Sequence, residues 1–290
     1  MTLYTQTMLR KIRYACEGMF ILFAVIFFRL LPLDLASALA GLLARLLGPV
    51  SRAHRTARSN LEKAFPEMNE YQHRRILSDM WDNLGRVIGE YPHLNRPVMA
   101  RRITVEGREH LERIRESKQA ALFVSGHFAN WEIIPFTAAQ CGLPMVVIYR
   151  EANNPVAEWI IRKIRAPYTR SMHSKGRIGA VQSIRALKDG HPLAMLIDQK
   201  QNDGQPIPFF GRNAMTSLAA AQLAIKYNVP LLAAHAVRTD GVHFHISLEP
   251  PVHLDPSADA AEVTASLNRL FEKWIREYPA QWFWVHKRWG

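Results

Sequence analysis

Ala120-Ala121-Leu122-Phe123-Val124-Ser125-Gly126-His127-Phe128-Ala129-Asn130-Trp131-Glu132 is the stretch that decides the fold. Residues 120–125 are all apolar or small, which suits a strand covered on both faces. Gly126 suits a sharp turn or a close backbone approach. Asn130 is a candidate helix N-cap, and Pro135 is tolerated only near a helix start. The segment therefore predicts strand, turn and helix, the helix opening between Trp131 and Ile134. Ligands of open α/β sheets bind at the carboxyl ends of strands, which is where His127 falls. Glu132 falls in or just before the first helical turn, where the macrodipole favours negative charge.

An imidazole oriented by a carboxylate is a general base near neutral pH. His127 and Glu132 form such a candidate pair in the strand–turn–helix setting. The plain alternative makes His127 a turn residue and Glu132 a helix-start residue. Gly-x-Ser-x-Gly is absent, so the nucleophile is expected from the substrate, for instance a hydroxyl.

Downstream, strand candidates 145–149, 193–197, 231–237 and 242–248 alternate with helix candidates 131–140, 155–164, 178–188, 217–227 and 261–277. That alternation predicts an α/β class with a mostly parallel mixed sheet flanked by helices. Arg238-Thr239-Asp240-Gly241 between the last two strands signals an antiparallel edge. The expected organisation is a hydrophobic membrane-associated segment over 1–50, a helical region over 51–117 and the α/β core over 118–290.

The first segment opens with Arg10, Lys11 and Arg13, then runs apolar from Gly18 to Phe28 and again from Leu35 to Leu47, broken by Arg45. The first run is shorter than the roughly 20 residues a full span needs. It reads as one tilted membrane helix, as an interfacial helical hairpin, or as a buried pair. In 51–117, Ser59 is a candidate cap, Pro66 a stop, and residues 69–89 an amphipathic helix. Val105 marks a possible short strand. Cys16 and Cys141 show no metal or redox spacing.

The net charge is +12, from 37 basic and 25 acidic residues. It points to phosphorylated ligands, an anionic membrane, an acidic protein or nucleic acid. No nucleic-acid motif is present, so that last partner is not expected. Arg150 follows the second strand on the same rim as His127, and Arg162 and Arg165 lie on the next helix. Each is either a phosphate- or oxyanion-binding group or part of a solvated helix face. Asp198 and Gln199 end the third strand, either lining the ligand rim or anchoring a loop. In Gly204-Gln205-Pro206-Ile207-Pro208-Phe209-Phe210-Gly211-Arg212, the prolines and Gly211 are expected to exclude a regular strand or helix. Phe209 and Phe210 are offered to an acyl chain, a bilayer or the core. His243 and His245 share a strand face, but no third zinc ligand is evident. Trp282, Trp284, Arg288 and Trp289 read as an interfacial aromatic belt, a headgroup strip or a packed terminus.

Four of these features together resemble the late acyltransferases of lipid A biosynthesis, which are similar to the glycerolipid acyltransferases. They are the basic-flanked hydrophobic N-terminal segment; His127-Phe128-Ala129-Asn130-Trp131-Glu132; Asp198-Gln199 with Pro208-Phe209-Phe210-Gly211; and Gln281-Trp282-Phe283-Trp284-Val285-His286-Lys287-Arg288-Trp289. They cover nearly the whole chain. The resemblance implies a glycerolipid-acyltransferase-like core behind an N-terminal membrane helix. It implies an acyl carrier protein thioester as donor, a lipid A precursor hydroxyl as acceptor, anionic inner-membrane lipids as surroundings, and no metal, nucleotide or other cofactor. The active site would face the cytoplasmic side of the bacterial inner membrane. His127 would be the base, Glu132 its orienter, and Arg162 or Arg165 the oxyanion group, with Arg150 the other candidate. Asn130, Arg150, Asp198, Gln199, Phe209, Phe210 and Arg212 would contact substrate. A lysophospholipid or aminolipid O-acyltransferase is the alternative.

Overall fold

The structure, a computed structural model, describes residues 3–252 and 254–289. Two helices lead, α1 (Leu3–Leu30) and α2 (Leu33–Leu47). Then come α3 (Arg52–Ala64), α4 (Glu70–Glu90), the short α5 (Pro97–Ala100), strand β1 (Ile103–Glu106) and α6 (Arg108–Ser117). Ser51, not Ser59, caps α3, because the helix opens eight residues earlier than the pattern suggests. Asn69 and Gln72 close a reciprocal capping box at α4.

The core alternates as expected: β2 (Leu122–Ser125), α7 (Ile133–Gln140), β3 (Met145–Tyr149), α8 (Pro155–Arg165), β4 (Thr169–Ser174), α9 (Arg177–Lys188) and β5 (Leu193–Leu196). A hairpin follows, β6 (Gln205–Phe209) with β7 (Arg212–Thr216), then α10 (Ala219–Tyr227), β8 (Leu231–Asp240), β9 (His243–Leu248) and α11 (Ala260–Glu277). Seven strands form one sheet in the order β1-β9-β8-β2-β5-β3-β4. Every pairing in it is parallel except β8 with β9. From β2 the chain moves one way to β3, β4 and β5, and later the other way to β8. The carboxyl ends of β2 and β5 therefore flank a topological switch point.

The hairpin corrects the reading of residues 205–212. β6 carries Pro206 and Pro208, yet pairs with β7 from Gln205–Thr216 to Phe209–Arg212. A two-stranded ribbon has two edges, and an edge tolerates prolines whose nitrogens face outward. Phe210 and Gly211 both take positive φ, +50° and +69°, the backbone of a tight two-residue hairpin turn.

In α1, Phe20 and Phe23 are exposed, as are Leu46 and Leu47 in α2. Among the described residues, one helical stretch is long and apolar enough to cross a membrane: Leu33–Val50, 18 residues with mean hydropathy 1.5. The two helices are anchored on the core by polar contacts. Asn154 Nδ2 donates to the Tyr14 carbonyl at 2.8 Å. Ser37 Oγ donates to Glu90 Oε1 at 2.7 Å.

His235, on β8, is buried against Trp274 with ring centroids 4.2 Å apart, and its Nδ1 has no partner among the described residues. Burial, then the charges of His245 and Lys273 against that of Glu106, pull its pKa down to about 4. A depressed pKa means that the unfolded state takes up the proton first. Stability is therefore full above pH 6.5 and falls progressively towards pH 4, by up to about 3 kcal/mol. Unfolding of wild type and His235→Phe at pH 7.5 and pH 5 checks this. Wild type should lose more stability than the variant on acidification, and parallel losses would contradict it.

Candidate active site

His127 follows β2 and Asp198 follows β5. The strands are neighbours in register, Ser125 opposite Leu196, so the backbone delivers both residues to one rim. His127 Nδ1 lies 2.7 Å from Asp198 Oδ1. Asp198 Oδ2 accepts from the His127 backbone N–H at 2.7 Å and from Trp282 Nε1 at 2.8 Å. Burial alone would raise the Asp198 carboxyl. The charge and hydrogen bonds of His127, with His286 behind, hold it well below the usual carboxylate range. A carboxylate only accepts, so Nδ1 carries the proton and Nε2 the lone pair. The Gln199 side-chain nitrogen lies 3.4 Å from that Nε2. Gly126 is required here, because a Cβ would sit 2.7 Å from the Phe128 ring and 3.0 Å from Asp198 Oδ2.

The carboxylate bonded to the imidazole is thus Asp198, not Glu132. Ala129 takes a left-handed φ of +43°, and its N–H donates to the Gln281 carbonyl at 2.8 Å. This bend carries Glu132 onto the start of α7 and into a bidentate pair with Arg165. Arg165 Nε donates to Glu132 Oε2 at 2.9 Å and Nη2 donates to Oε1. Tyr168 Oη donates to Oε2 at 3.4 Å. Both side chains are nearly buried, 14% and 5% exposed. Burial would lower the Arg165 pKa, but Glu132 overrides it and raises it. The Trp131 and Phe283 rings wall His127, at 5.0 and 5.4 Å between centroids.

The other residues singled out in the sequence divide. Asn130 is not the helix cap; Glu132 holds that position, and α7 begins at Ile133. Asn130 is fully buried, and its Nδ2 donates to Glu90 Oε2 at 2.8 Å. Glu90 also accepts from Arg238 of β8, so one carboxylate joins α2, α4, β8 and the turn that carries His127. Arg162 is on the outside, paired with Glu158 and Glu151. Arg212 is exposed and donates to the Lys63 carbonyl. Phe209 and Phe210 are buried in the core, stacked around Trp282, Trp289 and Phe65, rather than presented to substrate. Trp282, Trp284 and Arg288 are likewise buried, so the terminal aromatics are core and not a belt.

A cavity of about 650 Å³ opens beside His127. Its walls are mainly apolar, with Ile21 and Val25 from α1, Val87 and Ile88 from α4, and Ile148 and Ile160 from the core. Its polar positions include His127, Gln199, Arg165, Arg150 and Lys175. Size and lining suit a long aliphatic chain with one polar end. Two features of the site went unread in the sequence. The contact of Trp282 with Asp198 was hidden by their separation along the chain, and the place of Lys175 on the rim by an unrecognised strand, β4.

Candidate metal ligands elsewhere are occupied. Glu62, Glu70 and His73 converge, but Arg58 donates to both carboxylates and His73 Nε2 faces the Phe65 carbonyl. His243 contacts Arg102, and His245 contacts Thr104 and Glu106.

The lipid A biosynthesis lauroyltransferase of Escherichia coli (strain K12) is 26% identical, over 82% of this chain and 79% of its own. The palmitoleoyltransferase of the same organism is 24% identical over 82% and 79%, and its myristoyltransferase 22% over 83% and 76%. Among solved structures, the 1-acyl-sn-glycerophosphate acyltransferase PlsC from Thermotoga maritima superposes with a TM-score of 0.41 at 14% identity, covering 87% of this chain and 100% of that one. The model of the bacterial lipid A biosynthesis acyltransferases matches residues 4–290, and the chain belongs to that family.

Proposed function

We propose that the protein transfers a fatty acyl chain from an acyl carrier protein thioester to a hydroxyl of a lipid A precursor, with His127 as general base. The observation that carries this reading is the His127–Asp198 pair beside an apolar cavity, with an Nε2 lone pair whose 3.4 Å contact to Gln199 an acceptor hydroxyl can replace. The acceptor hydroxyl gives its proton to Nε2 as its oxygen attacks the thioester carbonyl. Asp198 stabilises the imidazolium so formed, as the buried carboxylate does in serine hydrolases. The C–S bond then breaks, and the imidazolium returns the proton to the departing thiolate. Arg165, fixed by Glu132 and lining the cavity, is the cation nearest in design to an oxyanion group. Glu132 acts through Arg165 and is a positioning residue.

The exposed apolar residues of α1 and α2, with Arg10, Lys11 and Arg13 at the start, support attachment to an anionic inner membrane from its cytoplasmic side. The acyl cavity, partly walled by α1, would then lie next to the bilayer.

Acyl transfer from radiolabelled acyl carrier protein to a tetra-acylated lipid A precursor tests the reading. His127→Ala should lower the rate by roughly 10²–10⁴-fold. Equal transfer by both proteins would sink the mechanism. Transfer to a lysophospholipid but not to the disaccharide would favour the glycerolipid alternative.

A further inference from the structure

Among the described residues, two cations on the rim of the catalytic cavity form no ion pair. Arg150 follows β3, Lys175 follows β4, and both line the cavity that holds His127. Among the described residues neither side chain has a carboxylate or hydrogen-bond partner. The nearby arginines differ: Arg162 is taken by Glu158 and Glu151, and Arg165 by Glu132. The two cations also feel each other. Burial depresses the Lys175 ammonium, the charge of Asp198 opposes this, and that of Arg150 adds to it. Both residues are exposed, so an incoming anion can reach them, and like charges close together favour a counter-charge.

The backbone around Lys175 fits the same ligand. β4 ends at Ser174, and α9 begins at Arg177 with no side-chain cap. Gly176 between them has φ +119°, and nothing lies within 4 Å of where its Cβ would be. The turn is open, and the first N–H groups of a helix have no partner within it. Such N–H groups add to what the two side chains offer an anion.

We propose that Arg150 and Lys175 form a subsite for a phosphate group carried by a substrate, next to the acyl cavity. The proposal rests on the acyl-transfer reading of His127 and adds what the cavity mouth recognises. A phosphate reaches it from either side of the reaction. One source is the phosphodiester arm of a carrier-borne thioester, the other a phosphate on the acceptor glycolipid. Fork-shaped guanidinium and point-like ammonium together suit a phosphate oxygen cluster.

The test uses the full chain in detergent as wild type, as Arg150→Ala/Lys175→Ala, and as Arg185→Ala/Lys188→Ala, a control that removes two cations farther along α9. Each is assayed with acyl carrier thioester or with an acyl N-acetylcysteamine thioester, which lacks phosphate. Each donor is paired with a phosphorylated or a dephosphorylated acceptor. The first double variant should raise KM about ten- to hundredfold for one phosphate-bearing substrate, leave kcat within a few-fold, and match wild type when neither substrate carries phosphate. The control should behave as wild type throughout. A loss confined to the carrier thioester assigns the subsite to the donor, and one confined to the phosphorylated acceptor assigns it to the acceptor. Equal losses in all pairings, or none, overturn the subsite. If wild type transfers no acyl group, the functional reading fails and binding decides the subsite. Inorganic phosphate should then show ³¹P line broadening with wild type and control but not with Arg150→Ala/Lys175→Ala, and equal broadening by all three overturns it.

Discussion

Asp198→Asn should lower kcat by on the order of 10⁴-fold, the loss expected when an imidazole is held in the wrong tautomer. The direction follows from the bonds around the carboxylate. Oδ2 faces two donors, the His127 backbone N–H and Trp282 Nε1. An asparagine must put its oxygen there, because an NH₂ against two N–H groups would leave donors facing donors. Its NH₂ then faces His127 Nδ1. That nitrogen becomes the acceptor, the ring proton moves to Nε2, and the lone pair that would take the hydroxyl proton is gone. The fold should survive, since oxygen and nitrogen are nearly isosteric. Steady-state kinetics and a thermal melt of the same preparation check both halves. A rate within tenfold of wild type would remove Asp198 from the mechanism.

Glu132→Ala should destabilise the protein by about 3–5 kcal/mol, because it strands a nearly buried Arg165 without its partner. Replacing both, as Glu132→Leu/Arg165→Met, should recover most of that loss, since an apolar pair of similar volume often substitutes for a buried ion pair. Activity should not return with stability, because the cavity has lost its fixed cation. Denaturant unfolding beside the transfer assay separates the two quantities. If Glu132 instead oriented His127 directly, Arg165→Met alone would retain activity wherever it folded.

The two substitutions bear on what the sequence alone could reveal. Alternating apolar strands and capped helices made the α/β core legible, and β3 falls on residues 145–149 as read. β2 is buried on both faces, and its composition announces it. β4 was missed because Thr169–Ser174 is a polar edge strand, where the apolar signal is absent. The β6–β7 hairpin was missed because proline was weighed as if it lay in a central strand. The rim was legible in that His127, Asp198 and Gln199 all end strands. Their partnership was not. Glu132 lies five residues from His127 and Asp198 lies 71 away, and only the strand order brings β5 beside β2. Proximity along the chain favoured the wrong carboxylate. Aromatic, cationic composition likewise left residues 282–289 open between a belt, a headgroup strip and a packed terminus, and burial of Trp282, Trp284 and Arg288 decides for the packed terminus.

That segment has a consequence for the birth of the enzyme. Phe128 bridges Trp282, the Ala129 N–H donates to the Gln281 carbonyl, the Phe283 N–H donates to the His127 carbonyl, and Trp282 steadies Asp198. The residues that brace the turn after β2 are therefore translated long after the turn itself. A nascent chain can pair β2 with β5 before Trp282 is translated. Until then His127 and Asp198 are without their brace. Completion of the site therefore waits for a segment made well after both strands that carry it.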